Sequence, residues 1–240
     1  MGIVSYGISM VKPYLERICK KNDKIIWLVD ASFIRKNIDV EFTNFGHHYR
    51  FPFIPKNEFW IDQETYRLER KFFITRLFAE HALMKKGLNY DVALEIADRI
   101  EKRQRRVKKI VKKIKKLKEH YLKLKKKKVL MIDQLQVWLV NGKLVRDHFY
   151  VDFTLGGHDL VYSFIPKKEI WIEEKLSRRE QQFVLVHEFC ERDCMSRGIS
   201  YHQAHLLANK PELRCRKNPS LLKKMLKKEI EKFKRSNSLK

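Results

Sequence analysis

Phe53-Ile54-Pro55-Lys56-Asn57-Glu58-Phe59-Trp60-Ile61 returns in the second half of the chain as Phe164-Ile165-Pro166-Lys167-Lys168-Glu169-Ile170-Trp171-Ile172. The match runs outward without a gap, from Trp27/Trp138 to Arg105/Arg216, with about 28 identities in 79 positions, far above chance for a fixed register. Arg35/Arg146, Gly46/Gly157, His47/His158, Glu80/Glu191, Gly87/Gly198, Ala93/Ala204, Ala97/Ala208 and Glu101/Glu212 are among the retained pairs. The chain therefore reads as a tandem duplication of one small α+β domain.

The second copy gives the clearer local pattern. Gln136–Val140, Asn141-Gly142 and Lys143–Arg146 read as a β-hairpin, because Asn-Gly suits a tight two-residue turn between strands. A Gly-containing loop, Asp152 to His158, precedes a strand over Glu169–Glu173. Ser177, with Glu180 three residues on, has the form of a capping box opening a largely buried helix. Gly198 ends that helix and Ser200 caps a second one through about Leu213. Each copy is thus expected to be a β-hairpin and short strands followed by a helical hairpin. Trp60/Trp171 and Tyr90/Tyr201, matched in both copies, read as core.

The formal charge of +24 is carried by two segments: Lys102–Lys128 has a net +15 and Arg214–Lys240 a net +9. Val107, Ile110, Ile114, Leu117, Tyr121 and Leu124 recur in steps of three and four among the lysines, which predicts an amphipathic basic helix between the copies. Asn218-Pro219 opens another, with Leu222, Met225, Leu226, Ile230 and Phe233 on one side. The expected organisation is an N-terminal segment 1–23, a first repeat 24–105, a basic helical linker 106–128, a second repeat 129–216 and a basic C-terminal helix 217–240. No apolar run is long enough to span a bilayer, and Met1–Asp23 lacks the features of a secretion signal. Four cysteines in 240 residues make no disulfide framework, so a cytoplasmic location is expected.

The chemistry-bearing cluster is His187-Glu188-Phe189-Cys190-Glu191 with His205 and Glu212 on the next helix. His187 and Glu191 are one turn apart and share a face. A hairpin turning near Gly198 puts Glu191 and His205 opposite each other, and Ala204 and Ala208 let the helices approach. Two imidazoles and a carboxylate then converge as ligands for one divalent ion, zinc by donor type. Glu188, beside the first ligand, is placed to serve as the general base toward water. His158, Tyr201 and Glu212 are possible accessory residues. The first copy holds Arg76, Leu77 and Leu94 where the second has His187, Glu188 and His205, so its site is degenerate. Glu80/Glu191 and Glu101/Glu212 survive in both, which suggests a structural role for those acids, with Arg103/Arg214 as partners. Cys190 and Cys194, one turn apart with Cys215 beyond, correspond to the apolar Ala79 and Leu83 of the first copy and read as core packing rather than structural zinc.

His-Glu-x-x-Glu with a following His resembles the active helix of zincin-type metallopeptidases, whose motif ends in His where Glu191 stands. The longer pattern from Asp152 to His205 resembles uncharacterised zincin-like proteins of bacteria and phages, over much of the second copy. The resemblance implies a zincin-like fold and, for the second copy, zinc-dependent hydrolysis of a peptide-like substrate. A different class stays open beside it. The copies would be inert scaffolds whose His and Glu side chains form a polar network, and the basic helices would bind nucleic acid or another polyanion through Lys108, Lys109, Lys112 and Lys113.

Overall fold

The computed structural model describes residues 13–107 and 124–238. It is a mixed α+β structure with two four-stranded sheets and, among the described residues, seven α-helices. The first half runs β1 (Tyr14–Lys21), β2 (Lys24–Val29), α1 (Ala31–Asn37), β3 (Phe45–His47), β4 (Glu58–Asp62), α2 (Arg70–Lys85) and α3 (Tyr90–Val107). The second half repeats the order as β5 (Lys125–Ile132), β6 (Leu135–Val140), α4 (Gly142–His148), β7 (Gly156–His158), β8 (Glu169–Glu173), α5 (Arg178–Ser196) and α6 (Tyr201–Lys217), then adds α7 (Leu222–Ser238). Every strand of the first half has its counterpart in the second at the offset that pairs Trp60 with Trp171.

The sheet orders are β1-β2-β4-β3 and β5-β6-β8-β7. β2 and β4 are parallel, as are β6 and β8, and the other neighbours are antiparallel. The parallel central pair is covered on both faces, which is why β4 and β8 read as continuous apolar runs. Alternation then sorts their residues. Phe59 and Ile61 pack with Phe73 and Leu77 of α2, while Trp60 points to the opposite cluster around Ile34 and Phe42. Ile170 and Ile172 likewise join Val184 and Phe189, and Trp171 joins Val145 and Phe153. Each tryptophan satisfies its indole N–H on a neighbouring glutamate, Trp60 on Glu58 at 2.8 Å and Trp171 on Glu169 at 2.7 Å.

The Asn141-Gly142 turn does not form. Asn141 caps α4, its side chain accepting a hydrogen bond from the Leu144 N–H at 3.1 Å, and Gly142 leaves room for the Glu173 carboxylate. The hairpin lies one strand earlier, β5 against β6, turning at Asp133 with a positive φ of 50°. Lys125–Lys128, expected to finish the basic helix, are therefore strand, and the second repeat begins there rather than at 129. By the same pairing the first repeat begins in β1, inside the segment expected to precede it. Most of the linker, with Lys108, Lys109, Lys112 and Lys113, lies outside the described residues.

The helical hairpins follow the sequence pattern. Gly87 and Gly198 take φ of 91° and 87°, the left-handed geometry that ends α2 and α5 and turns the chain back. Ala93, Ala97, Ala204 and Ala208 are fully buried where the helices meet. Ser177 caps α5 as expected, accepting from the Glu180 N–H at 3.3 Å, but the capping box is half-made. The Ser177 N–H is taken by Glu64 of the first copy, and the Glu180 side chain is used elsewhere. Asn218 caps the 3-10 turn that leads into α7, whose Leu222, Met225, Leu226, Ile230 and Phe233 pack on the second copy. That stripe is thereby used for packing. No helix among the described residues is long and apolar enough to cross a membrane.

The copies are joined by reciprocal ion pairs. Arg35, fully buried in α1, reaches Glu180 of the second copy at 3.0 Å and Asp62 of its own at 3.2 Å. Arg146, its counterpart in α4, reaches Glu69 of the first copy at 2.9 Å and Glu173 of its own at 3.1 Å. Glu69 is also held by Arg105 and Glu180 by Arg216, each at 2.7 Å. Glu101 and Glu212 pair with Arg105 and Arg216 too, so their partners are these buried residues and not the exposed Arg103 and Arg214.

Candidate metal centre

Helices α5 and α6 bring His187, Glu191 and His205 together, as their spacing predicts. His187 Nε2 is 3.3 Å from Glu191 Oε2 and 3.1 Å from His205 Nδ1, and His205 Nδ1 is 2.8 Å from the same Glu191 oxygen. The other nitrogen of each ring is spoken for. His187 Nδ1 lies 2.8 Å from Glu212 Oε2, and His205 Nε2 lies 3.2 Å from Glu41 Oε2. A carboxylate can only accept, so those nitrogens carry the protons. In neutral rings the lone pairs of His187 Nε2 and His205 Nδ1 are then left pointing at each other and at an anionic oxygen. Three electron pairs converging in this way require added protons or a cation between them. Tetrahedral zinc with bonds of about 2.0–2.1 Å has neighbouring ligands about 3.3 Å apart, close to the separations here.

The titration behaviour follows from the same geometry. Burial works against the charged imidazolium, yet Glu191 and Glu212 hold the His187 pKa well above its ordinary value, and Glu191 and Glu41 raise that of His205 to about 9. Burial pushes the Glu191 carboxyl up, but His158, His187 and His205 bring it well below the usual carboxylate range. Glu188 moves the other way. Burial and the neighbouring Glu191 charge push it up to about 8, and its Oε2 has no hydrogen-bond partner among the described residues. An oxygen of Glu188 lies within 4.8 Å of one of Glu191. A buried, unpartnered carboxyl near neutrality beside a cation-seeking cluster suits proton transfer.

His158 is near the cluster but serves it indirectly. Its Nδ1 accepts from the Leu160 N–H at 3.2 Å, so Nε2 carries the proton and faces Glu191 Oε1 at 3.1 Å. His47 makes the equivalent arrangement with Glu80 at 3.2 Å, with Nδ1 accepting from Tyr49 N–H. Both histidines brace a glutamate on the first hairpin helix. Glu212 is held on its far side by Arg216 at 2.8 Å, so Glu180, Arg216, Glu212 and His187 form one line from the contact between the copies to the cluster. Tyr201, expected in the core, is instead half-exposed with its ring 5.8 Å from His205.

Two residues were not anticipated from the sequence. Gly156 of β7 has no side chain to compete with Glu188: a Cβ there would sit 3.0 Å from Glu188 Oε1 and 2.8 Å from Val184. The first copy has Phe45 at this position and Leu77 in place of Glu188, so a paired difference was present in the alignment. Glu41 comes from the loop after α1 in the other copy, where no local pattern points to it. The cluster opens into a cleft of about 100 Å³ at the junction of the copies, lined by Glu41 and Thr43 from one and Tyr162 and Tyr201 from the other.

The equivalent place in the first copy is filled by a cation. Arg76, where His187 stands in the second, directs its guanidinium to Asp152 at 2.8 Å, Asp98 at 2.9 Å, and Glu80 and Glu101 at 3.6 Å. No family model, curated protein or solved structure matches the chain.

Proposed function

We propose that the chain is a zinc-dependent hydrolase of zincin-like character, active in the second of two duplicated domains. The observation that carries this reading is the convergence of His187 Nε2, His205 Nδ1 and Glu191 Oε2, with both outer ring nitrogens already committed to carboxylates. Two imidazoles and one carboxylate are a donor set suited to catalytic zinc, which keeps a further position open. When bound, such an ion polarises a carbonyl and makes nearby water acidic enough to attack near neutral pH.

The protein's own groups supply the rest. Glu188, in its ionised form, accepts the proton of the attacking water and returns it to the leaving group. His158 and Glu212 keep Glu191 and His187 in their orientations. A peptide-like substrate is the class favoured by a His-Glu-x-x-Glu helix whose cluster opens to a cleft. In the first copy the Arg76 guanidinium takes the place of the ion, and Phe45 and Leu77 take the place of Gly156 and Glu188.

Elemental analysis tests the reading. Protein purified without chelator or affinity-tag metal is expected to carry close to one zinc per chain, and His187→Ala close to none. Wild-type protein that remains metal-free after reconstitution with zinc would leave the cluster as a protonated polar network and remove the basis for hydrolysis.

A further inference from the structure

The proposed site is assembled from both copies. Glu41 follows α1 in the first copy, yet its Oε2 lies 3.2 Å from His205 Nε2 and its Oε1 accepts a hydrogen bond from Asn209 Nδ2, both on α6 of the second copy. Resting on the metal-centre reading, we infer that Glu41 is a positioning residue: by receiving the Nε2 proton it fixes the His205 tautomer, so that Nδ1 presents its lone pair to the ion. Glu212 does the same for His187 from within the second copy. The two ligand imidazoles thus have orienting carboxylates of different origin, one local and one donated by the domain that has no site.

The counterpart contact supports this assignment. Asp152, which matches Glu41 in the repeat, crosses in the opposite direction to Arg76 of the first copy at 2.8 Å. Both acids therefore reach from the same loop into the other copy's helical hairpin. One meets a guanidinium that is charged at any working pH, so nothing in its partner needs orienting. The other meets a ring with two nitrogens of which only one can serve the ion. Glu41 and His205 are both about one-third exposed, with side-chain values of 34% and 29%. An ion pair so exposed adds little to stability, whereas loss of an orienting partner lowers metal affinity about 10–100-fold. Those two expectations separate orientation from simple bracing.

The experiment compares full-length wild type, Glu41→Ala and Glu41→Gln. Zinc affinity is measured by competition with a chromophoric chelator, thermal melting without metal is measured in parallel, and visible spectra are recorded on the cobalt(II) forms. Glu41→Ala is expected to bind zinc about 10–100-fold more weakly, with an altered cobalt spectrum and nearly unchanged metal-free melting. Glu41→Gln keeps an acceptor and is expected to recover part of the affinity. If wild type binds zinc and both variants bind equally well, the role of Glu41 is overturned and the metal centre stands. If wild type takes up neither zinc nor cobalt, the metal centre fails and this inference with it. An Ala variant that melts early while Gln matches wild type in affinity and spectrum would reduce Glu41 to a brace.

Discussion

The two helical hairpins present the same carboxylates to different positive charges. In the first, Glu80 and Glu101, joined by Asp98 and Asp152, surround the guanidinium of Arg76. In the second, Glu191 and Glu212, joined by Glu41, surround two imidazoles whose free nitrogens face each other. The difference is in whether the charge belongs to the chain. Arg76 is covalently attached and always charged. His187 and His205 gain charge only by taking up protons, or share that of an ion. A buried carboxylate cluster needs compensation in either case. Only the second arrangement leaves it exchangeable, and there Glu188, whose Oε2 has no hydrogen-bond partner among the described residues, stands beside it.

The sharpest way to break this comparison is Glu188→Gln, which should lower hydrolysis by about 10²–10⁴-fold while zinc content stays near one per chain. Unchanged turnover of a peptide substrate would remove Glu188 from the chemistry. Next in size is Arg76→Met. It takes the shared cation from four carboxylates, three of them largely buried, with Glu101 keeping Arg105, and should cost about 3–5 kcal/mol in denaturant unfolding. A cost below about 1 kcal/mol would mean that the cage does not depend on its guanidinium.

The smallest effect is in pH dependence. The folded pKa of His205, about 9, exceeds the unfolded value of about 6.5. Its contribution to stability is therefore complete below about pH 6.5 and is lost as pH rises through about 9. Metal-free protein should melt at falling temperature across that window, more steeply than His205→Ala, and zinc should flatten the slope by replacing the protons. Equal slopes in wild type and His205→Ala would contradict the assignment.

Much of this was legible from residues. The apolar run around Trp60 and Trp171 marks a strand covered on both faces, and the helical period with Gly198 brings His187, Glu191 and His205 to one place. Elsewhere local signals had two meanings. Asn-Gly suits a tight turn, but Asn is also a favoured helix cap, and packing against Glu173 decides for the cap. Lys125–Lys128 favour helix by composition, yet pairing with β6 makes them strand, because intrinsic preference yields to tertiary contacts. The difference between Phe45 and Gly156 lies in the sequence, but its link to Glu188 comes only from the close approach of the two in the fold. Glu41 had no such signal, since its partner lies 164 residues away in another domain.

The exchange of Arg35 with Glu180 for Arg146 with Glu69 makes the two halves depend on each other. A contact in which one position meets another and the second meets the first is the signature of a homodimer whose subunits use the same patch. The two halves of this chain meet in that way, each supplying an arginine to a buried glutamate of the other. Neither half alone would keep its buried glutamate fully compensated.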